Sequence, residues 1–174
     1  MDDLELDNPL WDFAVAVYAM PGVAEECLAL QGSHGIDVNL LMFCAWLGAA
    51  RAAVLSRNQL TEAQVAVRSW HDNVVRQLRA ARVYSKGLPA AEDTGLRARI
   101  KRIELEAERI ELAMLRACAA AYPYSADAEP AAALDANLQT FLDANGIGSE
   151  GLPLLVRLRA AALHIGATNS GSPS

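Results

Sequence analysis

Strand-forming residues are scarce in this sequence. Aromatics make up only 6%, and alanine, leucine, arginine and glutamate, which lose least on entering a helix, dominate instead. That shortage argues against a β-sheet before any pattern is read. Paired cysteines are missing as well: Cys27, Cys44 and Cys118 are odd in number, lie in apolar sequence and form no CxxC step. They read as buried free thiols of a reducing compartment. The first residues are acidic and lack the basic and apolar blocks of a secretory leader, so a cytoplasmic location is expected. The longest apolar run, Leu40 to Ala50, falls short of the ~20 residues that span a bilayer, and no membrane association is expected.

The usual signatures of catalysis are also lacking. His34, His71 and His164 stand apart with no HxxxH, HExxH or ExxH step, so neither a metal site nor a cofactor is expected. The Gly32-Ser33-His34-Gly35 turn fits neither a P-loop nor a dinucleotide fingerprint. No cysteine has a neighbouring histidine to activate it. Glu104, Glu106, Glu108 and Glu111 crowd one stretch, but Lys101, Arg102 and Arg109 lie within a turn of them, which predicts solvent-facing ion pairs rather than a carboxylate dyad. No catalytic residue is assigned.

What is present is helical periodicity in a chain long enough for one core: 174 residues, 53% hydrophobic. Asn8-Pro9 opens a first helix that ends before Pro21-Gly22, and a second runs from about Val23 to Gln31. Asp37 is placed to cap a third, Val38 to about Leu55, apolar on all sides and therefore central. A fourth should start near Thr61, with Gln64 completing a capping box, and reach Ser85. It sets Val67, Trp70, Val74, Leu78 and Ala81 against an outer strip of Arg68, Asp72, Arg76, Arg79 and Lys86.

After a Gly87-Leu88-Pro89 break and a turn, a fifth helix covers about Leu96 to Ala121. Leu96, Ile100, Ile103, Ala107, Ile110, Met114 and Ala117 make a heptad-like seam in it, and Leu105, Leu112 and Leu115 a second line. Arg99, Arg102, Glu106, Arg109 and Arg116 should face water. The fourth and fifth helices are predicted to form an antiparallel pair. Pro123 should stop the fifth helix, Tyr124 to Glu129 should link, and helices at Pro130–Asn145 and about Leu152–Ile165 should follow. The expected fold is an all-α single-domain bundle of about seven helices: a core over 1–122, a C-terminal helical pair packed on it over 123–167, and a disordered tail over 168–174.

Charge is uneven. Met1 to Ala50 carries eight acids and no base, Arg51 to Arg116 thirteen bases and eight acids, within a net charge of −6. The basic middle third offers Arg68, Arg76, Arg79, Lys86, Arg97, Arg99, Lys101 and Arg102 to a nucleic acid, a weaker reading given pI ≈ 5.0 and the interspersed acids. Gln31, Asp37 and Asn39 flank the junction of the second and third helices, where they either brace it or line a cleft.

The run Trp11-Asp12-Phe13-Ala14, Tyr18, Pro21-Gly22-Val23, Cys27-Leu28, Leu30-Gln31, Gly35, Asp37-Val38-Asn39-Leu40-Leu41 and Trp46-Leu47 resembles a proteobacterial family of unknown function. The resemblance continues through Trp70, Val74-Val75, Leu78-Arg79, Arg99, Lys101, Glu104-Leu105 and Ala107-Glu108. It implies a bacterial cytosolic protein and singles out Trp11, Gln31, Asp37, Asn39, Trp70, Arg79, Lys101 and Glu104.

Three functions follow as expectations. The first is a protein-binding regulatory or adaptor protein, self-associating or joined to a partner through its long helices. The second is a small-molecule binder or enzyme with a polar cleft around Gln31, Asp37, Asn39, Arg79 and Lys101. The third is nucleic-acid binding through the basic strip. Candidate binding residues across these readings are Gln31, Asp37, Asn39, Trp70, Arg76, Arg79, Lys101 and Glu104.

Overall fold

The computed structural model describes residues 4–120, 122 and 128–169. Asn8 opens the first helix, α1 (Pro9–Tyr18): its Oδ1 accepts from the backbone N–H groups of Leu10 and Trp11, both at 3.1 Å. Pro9 fills the next position, where a missing N–H costs nothing. Pro21 and Gly22, the latter at φ 82, turn the chain into α2 (Val23–His34).

The third helix, α3 (Val38–Arg51), is capped by Asp37, and every residue from Leu40 to Ala49 is buried. It is the hydrophobic centre that its all-round apolar sequence predicts. It stops four residues short of the expected Leu55, because Ala52 turns left-handed at φ 47. The freed backbone is held by Asn137, a fully buried side chain from a later helix. Its Oδ1 accepts from Leu55 N–H at 2.7 Å, and its Nδ2 donates to the carbonyls of Ala53 and Cys44 at 2.8 and 3.2 Å.

α4 (Arg57–Trp70) starts earlier than Thr61. The capping box is Ser56 with Gln59, while the Thr61 hydroxyl bonds back to the carbonyl of Arg57. A π-helical turn, His71–Val75, then runs straight into α5 (Arg76–Tyr84). A π turn carries one residue more than an α turn, so side chains beyond it are rotated by about 100°. Consequently Val75 rather than Val74 is buried, and Ala81, expected on the inner face, is exposed. The carbonyls of Ser69, just before this turn, and of Asp72 within it take side-chain donors, Asn73 Nδ2 at 2.9 Å and Gln77 Nε2 at 3.1 Å.

The segment read as a turn contains a short helix, α6 (Pro89–Asp93), before α7 (Leu96–Ala119). α7 runs antiparallel to the α4–α5 rod, Arg82 meeting Glu104 and Trp70 meeting Ala107. The heptad-like seam is corrected, however. Leu96, Ile103, Leu105 and Ala117 are exposed, and the buried face is Glu104, Ala107, Glu111, Leu112, Leu115 and Ala119. In the strip expected in water, Arg99, Arg102 and Glu106 are exposed, but Arg109 stacks over Trp11 and Arg116 over Trp46.

The stop at Pro123 and most of the following linker fall outside the described residues. α8 (Pro130–Ala144) lies along α3 so closely that a Cβ on Gly48 would come within 2.4 Å of the Leu134 Cα. Leu134, Leu138, Phe141 and Leu142 enter the same core as α3. A 3₁₀ segment, Gly148–Leu155, precedes α9 (Val156–Asn169). Thr168, assigned to a tail, is thus helical, and 170–174 lie outside the described residues. Among the described residues there is no strand. Among the described residues no single helix is long and apolar enough to cross a membrane; α1 and α2 reach that length only together, broken by a 96° bend.

Candidate functional site

Polar side chains gather where the N-terminus of α3, the π turn and the middle of α7 meet. Asp37 is there because a helix start needs an acceptor: its Oδ1 takes the N–H groups of Asn39 and Leu40 at 2.9 and 3.2 Å. Its other oxygen, Oδ2, lies 3.3 Å from Nδ1 of His71. The same Nδ1 is 3.0 Å from Oε1 of Glu111, whose Oε2 accepts from Asn39 Nδ2 at 2.8 Å. Glu111 is fully buried. The π turn directs neighbouring residues at α7: Trp70 Nε1 donates to the carbonyl of Ala107 at 2.9 Å while His71 reaches Glu111.

Burial pushes the Asp37 carboxyl up to about 7, reinforced by the negative Glu111 and opposed by His71. Burial works to lower His71, yet the hydrogen bond to Glu111 and the charges of Asp37 and Glu111 win, so its net shift is upward. Asp37 and His71 also line an open cleft of about 160 Å3, closed in by Leu40, Gln64, Val67 and Arg68. The three facing donor atoms of Asp37, His71 and Glu111 lie within 4.8 Å of one another, a set able to hold a metal ion. The expectation that the histidines stand isolated is corrected here. His71 is 34 residues from one carboxylate and 40 from the other, distances at which no spacing motif operates.

A second cluster continues along α7. Arg79 Nε donates to Glu104 Oε1 at 3.0 Å and its Nη2 to Glu108; Arg82 grips both oxygens of Glu104. Burial raises Glu104, but hydrogen bonds from Arg82 and Arg79 outweigh it and its net shift is downward. Glu108, where burial dominates, is shifted upward. The solvent-facing ion pairs expected of these glutamates are therefore corrected. Glu104 and Glu111 are buried and Glu108 half-buried, with partners on the α4–α5 rod, and of the four only Glu106 is exposed. Arg79, expected on the outer strip, is turned inward and ion-paired.

The expected five-residue cleft does not form. Asp37 and Asn39 share the centre with His71 and Glu111, and Trp70 buttresses it. Arg79 and Glu104 belong to the second cluster. Arg76 stands at the cleft mouth, well exposed and paired with Asp72 at 3.1 Å. Gln31 is half-buried on α2 and Lys101 is exposed on α7, outside both clusters. His71, Glu111, Arg82 and Glu108 were missed. One signal for them exists: Glu104, Ala107, Glu108 and Glu111 recur at steps of three, one and three, a single polar helix face.

No curated protein and no solved structure matches the chain. Residues 9–115 match the family described as Protein of unknown function (DUF2390), a stretch running from the start of α1 to just beyond Glu111 and holding every residue of both clusters. Covering more than half of the sequence and both clusters, that match makes this chain a member of the DUF2390 family.

Proposed function

We propose that this protein binds a small polar molecule in the cleft against Asp37 and His71. The observation that carries the reading is the convergence of Asp37, Asn39, His71 and Glu111 from three separate elements, next to open space. Buried polar groups are costly unless satisfied, and these are satisfied by one another at the wall of an open cleft. A volume of about 160 Å3 admits a molecule the size of a few waters, each ≈ 30 Å3 in the liquid. Arg68 at its edge favours an anionic one, while Arg76 beside it is held by Asp72. Free thiols at Cys27, Cys44 and Cys118 suit the cytosol as the place where it works.

Thermal-shift screening of the full chain against small organic acids and phosphate esters tests this. A ligand at about a hundred times its Kd should stabilise by about 2.7 kcal/mol, a shift of several degrees. Gln64→Trp, which fills the cleft, should abolish that shift. A screen with no hit, or hits indifferent to Gln64→Trp, would remove the reading.

A protein-binding role keeps one supporting observation. At the free end of the α5–α7 hairpin Val83, Tyr84, Leu88, Leu96 and Ile103 are exposed, Tyr84 at 82%, and α5 buries none of its own residues. Light scattering during size exclusion that reports a monomer at every concentration would count against self-association through this end. Nucleic-acid binding has less support, because Arg79 is occupied by Glu104 and Glu108.

A further inference from the structure

The arrangement of donors at the centre is more specific than a cleft requires. Each carboxylate has one oxygen tied down and one left over. Oδ1 of Asp37 is held by two backbone N–H groups and Oε2 of Glu111 by Asn39. The remaining Oδ2 and Oε1 both face Nδ1 of His71, at 3.3 and 3.0 Å. Outer partners that fix one side of a ligand and aim the other are what metal centres use to orient their donors.

The spacings also fit a coordination sphere. Bonds of about 2.1 Å put neighbouring donors about 3.0 Å apart in an octahedron and about 3.4 Å apart in a tetrahedron. We propose that Asp37 Oδ2, His71 Nδ1 and Glu111 Oε1 bind one divalent transition-metal ion, whose remaining positions face the cleft. The inference rests on the cleft reading above and supplies the anchor for a small anionic ligand there.

Charge supports it from another direction. A bound dication takes the place of the protons these side chains give up as ligands, leaving two carboxylate charges and a neutral imidazole balanced beside the wholly buried Glu111, where water cannot reach. One nitrogen and two oxygens suit zinc, manganese or ferrous iron better than magnesium or calcium, which take oxygen alone. Glu111 approaches from the inside and the cleft opens past Asp37 and His71. Three protein donors with an open side are the pattern of a centre that polarises a bound water or substrate oxygen.

The test is a cobalt(II) titration of the full chain after dialysis against a chelator, followed by visible absorption and then displacement with zinc. The expected result is one equivalent bound, displaced by zinc and untouched by magnesium. Asp37→Asn and Glu111→Gln should each weaken binding by roughly a hundredfold or more, and Asn39→Ala by roughly tenfold. Asparagine retains an acceptor for the α3 cap, so Asp37→Asn decides the matter should Glu111→Gln fail to fold. No stoichiometric binding by the wild type, or equal binding by Asp37→Asn, would overturn the proposal and leave His71 as an imidazolium brace between two carboxylates.

Gln64→Trp separates the two readings, since it closes the cleft without removing a donor. Metal binding that survives this variant, with no small-molecule shift in the wild type, supports the centre and sinks the cleft ligand. Small-molecule protection in chelated protein that takes up no cobalt does the reverse.

Discussion

At the scale of single residues, the charges of the centre set how stability follows pH. Asp37 has its pKa raised in the folded chain to about 7 from 3.8, so between those values the folded state holds a proton that the unfolded state has lost. Stability therefore falls as pH rises through that window. His71, raised above 6.5, acts with the same sign, its contribution complete below that value and lost as pH passes the folded one. Glu108, also raised, adds to the trend. Glu104 opposes it only in acid: its lowered pKa gives stability that is present above 4.5 and lost as pH falls through the folded value. In the presence of chelator, Tm should be highest near about pH 5 and fall by several degrees towards pH 8, a change on the order of 2 kcal/mol. A fluorimetric pH series reads it, and Asp37→Asn should flatten the slope; a Tm that climbs from pH 5 to 8 would contradict the assignment.

Among the elements, the α4–α5 rod depends on its π turn for register. Inserting one alanine between Arg76 and Gln77, just beyond that turn, should rotate the rest of α5 by about 100° relative to α4. Arg79 and Arg82 would then leave Glu104 and Glu108. Stranding one buried carboxylate costs several kcal/mol, so urea unfolding should show a loss of roughly 3 kcal/mol. Little or no loss would mean that the ion pairs re-form in the new register. This turn also explains what could be read in advance and what could not. Caps, glycine breaks and the apolar α3 follow local rules, and Asp37 and Asn39 were visible because a cap announces itself. An inserted residue has no sequence signal of its own, so the faces that the sequence predicts for α5 are turned by one position. On α7 the apolar residues predict an inner seam, whereas arginines from the facing helix carry Glu104 inward as a satisfied pair and leave Ile103 and Leu105 outside. Hydrophobic periodicity is blind to such exchanges, because it scores a paired glutamate as a solvated one.

On the scale of the whole molecule, the family match ends within α7, but the core does not. Leu134, Leu138, Phe141 and Leu142 of α8 are fully buried against α3, together with Leu155, Leu158 and Ala162. Removing everything after 122 would expose the α8 side of α3 and leave Leu55 N–H and the Ala53 carbonyl without Asn137. Burial of each such leucine or phenylalanine is worth about 1.5–3 kcal/mol, and a domain's total stability is only about 5–15 kcal/mol. The truncated chain should therefore show no cooperative thermal transition by circular dichroism. A sharp transition would show that 1–122 stands alone.

Glu26 on α2 accepts from the backbone N–H groups of Arg157 at 2.9 Å and Leu158 at 2.9 Å, the opening groups of α9. Helix starts are ordinarily served by a neighbour in sequence; here the acceptor arrives from 131 residues upstream. On a ribosome α2 emerges long before α9 exists. The opening of α9 is thus served by a carboxylate that synthesis delivers first, and one side chain joins two stretches far apart in sequence, as a clasp shuts a bracelet.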